Sequence, residues 1–330
     1  MRTYLIYYPL FWLGYWVFKM TKKTYWYPYV SFRRLFVLTK GKSNDVVSHR
    51  ISRLYPPYSI SDESIGILGR LSKDKIQSVA MDIAKNGYFI FDSKLDADKV
   101  EELTKLALST EAELMPPSKD GLKRSLYRRE NVQSPRYQFN EHTVLKHPTV
   151  QKLTVDPTLF AVAQAYLGCK PIQDLTAMWW SAAFSKEASS EAAQLYHFVM
   201  DRIKFIKFFI YLTDVNLQNG PHCYVRGSHK RLPENLWKDG RIQDKEIFEN
   251  FSKDDILEIT GVKGTILAVD TRGLHKGKVL ESGERLLIQF EFTNSLFGVT
   301  YENIDLKNDL QPEVKMFMKA HPYSFQRFEI

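Results

Sequence analysis

Apolar residues recur along this chain with two periods, and the change from one to the other divides it. The run Ser72-Lys-Asp-Lys-Ile-Gln-Ser-Val-Ala-Met-Asp-Ile-Ala-Lys-Asn86 places Ile76, Val79, Ala80, Ile83 and Ala84 on one helical stripe, with Ser72 as N-cap and Asn86-Gly87 as the stop. Tyr88 to Phe91 reads as a strand, and Asp96 to Thr110 as a helix with Val100, Leu103, Leu106 and Ala107 facing in. The helical period returns once more between Pro157 and Gly168, through Leu159, Val162, Ala163 and Tyr166. Beyond it the chain is written in strands. Pro171 to Phe184 holds the first, and Lys204 to Val215 is apolar on both faces, as in a strand covered on both sides. Asn219-Gly220-Pro221 turns the chain, His222 to Val225 returns, and Gly264 to Asp270 and Glu284 to Phe292 follow. The pattern predicts a mainly β domain with flanking helices over residues 72–330.

Residues 1–71 read differently. Tyr4 to Met20 is densely apolar and aromatic, broken by Pro9, Gly14 and Lys19, and somewhat short of the roughly 20 residues that span a bilayer. No small-residue cleavage site follows it, which argues against a removable signal peptide. Three readings stay open: an anchor lying in a membrane interface through Trp12 and Trp16, a short signal anchor, or a segment buried against the domain. Tyr25 to Leu71, with Pro28, Pro56-Pro57, Gly66 and Gly69 as breakers, reads as an irregular arm.

Charge sharpens this division. The net charge is +8, yet residues up to about 60 hold Arg2, Lys19, Lys22, Lys23, Arg33, Arg34, Lys40, Lys42, Arg50 and Arg53 against Asp45 alone, so the remainder is nearly neutral. A basic arm beside an apolar run points to a membrane surface, met through residues 4–34, rather than to nucleic acid. Cys169 and Cys223 read as free, buried thiols, in keeping with a cytoplasmic protein that is peripheral to or anchored on a membrane. Met115 to Asn140 carries Lys119, Lys123, Arg124, Arg128, Arg129 and Arg136, and reads either as a solvated loop or as a loop covering a substrate. His142 and His147, with no partner at ligand spacing, read as surface residues, and Trp179 and Trp180 read as core, with a cofactor wall as the alternative.

The candidate chemistry lies in a series of short words. They are His197, the run Lys207-Phe-Phe-Ile-Tyr-Leu-Thr-Asp-Val215, Asn219-Gly-Pro-His222, Gly227-Ser-His-Lys230, Leu274-His-Lys-Gly277, and Arg285 ten residues after His275. In their order and spacing they resemble the phytanoyl-CoA dioxygenase family of iron(II)/2-oxoglutarate oxygenases. That resemblance implies a double-stranded β-helix (jelly-roll, cupin-like) core, Fe(II) and 2-oxoglutarate as cofactors, and hydroxylation of a small organic or lipid-like substrate. Matched residue by residue, His197 is the first metal ligand, His275 the distal one, and Arg285 the partner of the 2-oxoglutarate carboxylate. His229 falls on a structural turn. The position of the family's aspartate ligand is Val199.

That departure weighs more than any other residue. A 2-His-1-carboxylate triad with open positions marks non-haem iron oxygenases, and valine has no lone pair to offer. Asp201 shares the strand face of His197 but lies about 13 Å along an extended chain, so it replaces the lost ligand only if the strand bulges. Lys207, inside a buried strand, either reaches a rim or meets an anion in the cavity, and so stands beside Arg285 as a cofactor-binding candidate. Two functions follow from different classes: an oxygenase, impaired or not by Val199, and a non-catalytic relative that binds a ligand without turnover. Halogenation, in which a small residue at this position admits a halide, fits the branched Val199 poorly.

Overall fold

The computed structural model describes residues 4–59, 62–118, 121–185, 188, 190 and 193–330. Much of the loop expected over 186–193 therefore lies outside the described residues, as does Lys119. The N-terminal part forms α1 (Tyr4–Thr21), α2 (Trp26–Leu38), α3 (Lys42–Leu54) and a hairpin of β1 (Glu63–Gly66) and β2 (Gly69–Ser72). Then come α4 (Lys73–Asn86), β3 (Tyr88–Lys94), α5 (Ala97–Ser109), β4 (Ala112–Met115), β5 (Arg124–Ser125) and β6 (Arg136–Gln138). Three helices follow, α6 (Glu141–Leu145), α7 (Pro148–Thr154) and α8 (Pro157–Leu167). The remainder runs β7 (Ile172–Ala182), β8 (Phe205–Tyr211), β9 (His222–Val225), α9 (Asp244–Asn250), β10 (Ile256–Ile259), β11 (Thr265–Val269), β12 (His275–Gly277) and β13 (Glu284–Thr293).

Eight strands pair antiparallel in the order β3-β11-β8-β13-β7-β6-β4-β5, and a smaller sheet runs β10-β9-β12. One apolar cluster joins Trp179, Phe209, Leu267 and Leu287 of the large sheet to Tyr224 and Ile259 of the small one. Across the large sheet, Met178, Trp180, Phe208, Ile210, Ile288 and Phe290 enter a second cluster with the helices. Both faces of the central strands are thus covered, which is why β8 and β13 lack polar alternation.

The helices α4 and α8 form where the apolar period predicts them. Ser72 accepts a hydrogen bond from the Lys75 amide, Asp156 accepts from the amides of Thr158 and Leu159, and Gly87 and Gly168 close the helices in the left-handed region.

The segment from Tyr25 to Leu71 corrects the expectation of an irregular arm. Pro28 sits in the first turn of α2, where its missing amide costs no helical hydrogen bond. Phe32, Leu35 and Phe36 on α2, and Val47 and Ile51 on α3, repeat at three- and four-residue spacing and are buried. On α1, Phe11, Tyr15 and Phe18 meet the ring of Phe297, as does Phe32. These helices therefore share the core of residues 72–330 rather than standing apart from it. Of the three readings of Tyr4 to Met20, burial against the domain is the one α1 adopts on this face, while Ile6, Leu13, Trp16 and Met20 on the other are exposed. Among the described residues no helix is long and apolar enough to cross a membrane.

Asp270, at the end of β11, ties α8 to the turn that leads into β12. Its carboxylate accepts from the Tyr166 hydroxyl, from the Arg272 amide at 2.9 Å and from Arg272 Nη2 at 2.6 Å, and both Asp270 and Arg272 are buried. Burial pushes the carboxyl up, but the Arg272 guanidinium outweighs it and holds the group at about 2, below the ordinary 3.8. Asp270→Ala is expected to cost about 3–5 kcal/mol, because it strands a buried guanidinium. Because the folded value is depressed, this stabilisation is fully present above the unfolded value of 3.8 and is lost as pH falls through about 2. Thermal melts of wild type and Asp270→Ala between pH 7 and 2 check both statements. A melting point unchanged by the substitution at neutral pH would remove Asp270 from this role.

Candidate active site

His197 and His275 face one another across an isolated antiparallel bridge. Each amide donates to the other's carbonyl, at 3.1 and 3.0 Å. A directly paired couple projects its side chains to one face of the sheet, and the two imidazole centroids are 4.4 Å apart, tilted by 47°. The backbone around His197 pairs here, at Tyr196, whose carbonyl accepts from the Ile242 amide at 2.8 Å, and at Val199, whose amide donates to the Thr271 carbonyl at 2.8 Å, so the strand expected there is reduced to isolated bridges.

Hydrogen bonding fixes what each ring offers. Nδ1 of His197 lies 2.8 Å from the Leu195 carbonyl and Nδ1 of His275 lies 2.9 Å from the Gly273 carbonyl. A carbonyl only accepts, so Nδ1 carries the proton and Nε2 keeps its lone pair. Metal-binding histidines are oriented by the same kind of backbone contact. Burial pushes His197 down to about 4, helped by the charge of Arg241, and burial together with His197 and His222 holds His275 well below the usual range. Both rings are therefore neutral donors at physiological pH.

A third imidazole, unassigned from the sequence, belongs to the same cavity. His222 pairs with Gly277 across β9 and β12, and its ring stacks 5.6 Å from that of His275 and 5.0 Å from Phe209. Its Nε2 is buried and has no hydrogen-bond partner. The only sequence signal was its place after Asn219-Gly-Pro; the register that aims it inward is set by pairing between strands more than 50 residues apart in sequence.

The residues present fit a metal through two neutral nitrogen donors and supply no anionic one. Val199 lines the cavity without a ligating atom. Asp201 borders an adjoining cleft with Arg33, Asp239 and Arg241, which His197 and Val199 also line. Among the described residues no three His, Cys, Asp or Glu side chains group as a complete metal-holding set.

The cosubstrate candidates separate as clearly. Arg285 is 5% exposed. It donates through Nη1 to the Gly220 carbonyl and through Nη2 to Ser181 Oγ at 3.3 Å, while its Nε has no partner. No carboxylate among the described residues pairs with it, and burial lowers its affinity for its proton. A Cβ at Gly277 would stand 3.2 Å from Nη2, so the glycine leaves the guanidinium its space. Lys207 does meet an anion, but one of the protein's own: its ammonium lies 3.2 Å from the Glu291 carboxylate.

Arg136, read from the sequence within a solvated or substrate-covering stretch, enters the cavity beside them. Its guanidinium lies 4.2 Å from the centre of the Trp179 ring, which makes Trp179 a cavity wall, while Trp180 is core and stacks on Tyr127. The cavity measures about 390 Å3. A larger one of about 760 Å3, around Phe184, Phe248 and Leu280, holds none of the three imidazoles, so chemistry and not size selects the site.

The sequence model of the phytanoyl-CoA dioxygenase family matches residues 83–284. No curated protein matches the chain by sequence. Similar solved structures include the non-haem α-ketoglutarate-dependent epimerase SnoN from nogalamycin biosynthesis, at 18% identity over 67% of this chain and 83% of that one, with a TM-score of 0.49. EctD from S. alaskensis with 2-oxoglutarate and 5-hydroxyectoine is similar at 17% identity over 73% and 86%, with a TM-score of 0.48.

Proposed function

The chain belongs to the phytanoyl-CoA dioxygenase family, whose cofactors are iron and 2-oxoglutarate, and from that premise we propose that it hydroxylates a small organic molecule in the cavity between its two sheets. The order of the two sheets, with His197 bridged to the edge of the smaller, supports reading them as the two halves of a double-stranded β-helix. The observation that carries the proposal is the paired presentation of two neutral imidazoles, each with Nε2 free, beside a buried arginine that lacks a carboxylate.

His197 and His275 would hold the metal through Nε2. Iron bound there supplies, with 2-oxoglutarate and O2, the oxidising chemistry that converts a substrate C–H to C–OH and releases succinate and CO2. Arg285 binds the far carboxylate of 2-oxoglutarate, a pairing that a planar guanidinium makes with two parallel hydrogen bonds. Its free Nε and the space over Gly277 leave that edge accessible. Trp179, Phe209 and Leu287 keep water from the reacting groups.

Val199 favours a second reading, in which the cavity binds ligands without turnover. Anaerobic titration with Fe(II) and 2-oxoglutarate separates the two. The oxygenase gives the weak visible charge-transfer band of the chelate and then, on admission of O2 with a substrate, one succinate per hydroxylated product. Binding of 2-oxoglutarate with neither band nor succinate establishes the second reading.

A further inference from the structure

The cavity holds more positive charge than its cofactors cancel. Arg136 and Arg285 stand on either side of Ser181 in one cross-strand row, since Arg136 pairs with Ser181 on β7 and Ser181 pairs with Arg285 on β13. Residues opposite one another in a sheet project to the same face, so both guanidinium groups belong to the cavity wall. Neither has a carboxylate partner among the described residues: Arg136 donates only to Gln138 Oε1, at 2.6 and 3.2 Å. The other charged groups lining the cavity are already matched, Lys207 by Glu291 and Glu141 by Arg327. Burial and the charge of Arg285 hold Arg136 down at about 10, below the ordinary 12.5.

Charge balance then decides. Ferrous iron and the 2-oxoglutarate dianion cancel, which leaves the two arginines unanswered. A site of this kind with an aspartate ligand and a single arginine is neutral; here Val199 removes one negative charge and Arg136 adds one positive. An excess of this size in a partly enclosed cavity is costly unless an anion enters. One 2-oxoglutarate does not serve both arginines. Their Cα atoms are two strand spacings apart, about 10 Å, and the other end of the cosubstrate is directed to the metal.

We propose that the substrate is itself an organic anion, and that Arg136 is the residue that binds its carboxylate or phosphate group, with the carbon stem lying along Trp179. The proposal rests on the oxygenase reading only for the identity of the second anion in the cavity. Arg136 is less buried than Arg285, as a residue meeting substrate from outside requires. Its guanidinium lies over the Trp179 ring, and Gln138 accepts from Nε and Nη2 but not from Nη1, which leaves that donor for an anion.

The test measures binding to the full-length protein by calorimetry and tryptophan fluorescence, with hexanoate, hexyl phosphate and hexanol as matched probes. Each is titrated twice: into metal-free protein, and anaerobically with Fe(II) and 2-oxoglutarate present. One of the two anions is expected to bind at least about tenfold more tightly than hexanol, and which one it is distinguishes carboxylate from phosphate. Arg136→Gln should abolish that preference, Arg136→Lys should retain part of it, and 2-oxoglutarate affinity should stay within about threefold in both, since the cosubstrate's far carboxylate pairs with Arg285 and not with Arg136. Equal affinity for anions and hexanol in wild type, or no binding of either anion at millimolar concentration, overturns the proposal. So does a loss of 2-oxoglutarate affinity in Arg136→Gln as large as that in Arg285→Gln, which makes Arg136 part of the cosubstrate site. If 2-oxoglutarate fails to bind but the anion preference persists in metal-free protein, the oxygenase reading falls and the anion site stands.

Discussion

Arg285→Gln is expected to weaken 2-oxoglutarate binding by about 30-fold or more, while leaving the free protein at least as stable as wild type. The first effect follows from the fork of donors that Arg285 offers. Truncating one partner of a buried, hydrogen-bonded charge pair costs about 2–5 kcal/mol, and every 1.4 kcal/mol is a factor of ten in affinity. The second follows from the unbound state. Arg285 is buried beside the Gly220 carbonyl and Ser181, with its Nε unpaired and no carboxylate near it, so the unliganded fold bears the cost of desolvating a charge it does not answer. A neutral glutamine removes that cost. Anaerobic calorimetry with 2-oxoglutarate and a thermal melt without it read the two effects separately. Structural damage would lower both affinity and melting temperature. An affinity within threefold of wild type would exclude Arg285 as the carboxylate partner.

Val199→Asp is expected to raise Fe(II) affinity by about 10- to 100-fold, the scale on which metal sites respond to gain or loss of a supporting group. The backbone there is already held, with the Val199 amide bonded to the Thr271 carbonyl and the side chain in the cavity wall between His197 and the β11–β12 turn. A carboxylate at this position adds the missing anionic donor and cancels one of the two positive charges in excess. The metal-free variant should melt somewhat lower than wild type, because a new half-buried carboxylate at the cavity wall lacks a partner there, and added Fe(II) should restore the loss. Anaerobic metal titration followed by tryptophan fluorescence or calorimetry checks the affinity, and paired melts check the rescue. If the variant binds metal no better than wild type, the two-histidine site does not lack a ligand at 199.

His197, His275 and Arg285 were legible because each stands in a short word of fixed spacing, and the structure brings all three to one cavity. The caps of α4 were legible for a local reason, since the Ser72 side chain satisfies an amide three residues away. Residues 25–71 were misread because proline was weighed as a breaker. In the first turn of a helix it breaks nothing, and the apolar spacing of Phe32, Leu35 and Phe36 was the stronger signal. Lys207 was left open between a rim and an anion; its partner, Glu291, lies 84 residues away and faces it through the pairing of β8 with β13.

What the sequence determined by itself is the inventory of chemistry: two histidines and an arginine at fixed separations, and a valine two residues after the first histidine. Only the tertiary structure decided how that inventory is completed. It turned His222 inward, set Arg136 and Arg285 on either side of Ser181, and gave Lys207 a partner of its own. The physical reason is that strand register is not a local property. A shift of one residue reverses every side chain, and the register is fixed by burial summed over both sheets, which no short stretch of sequence records.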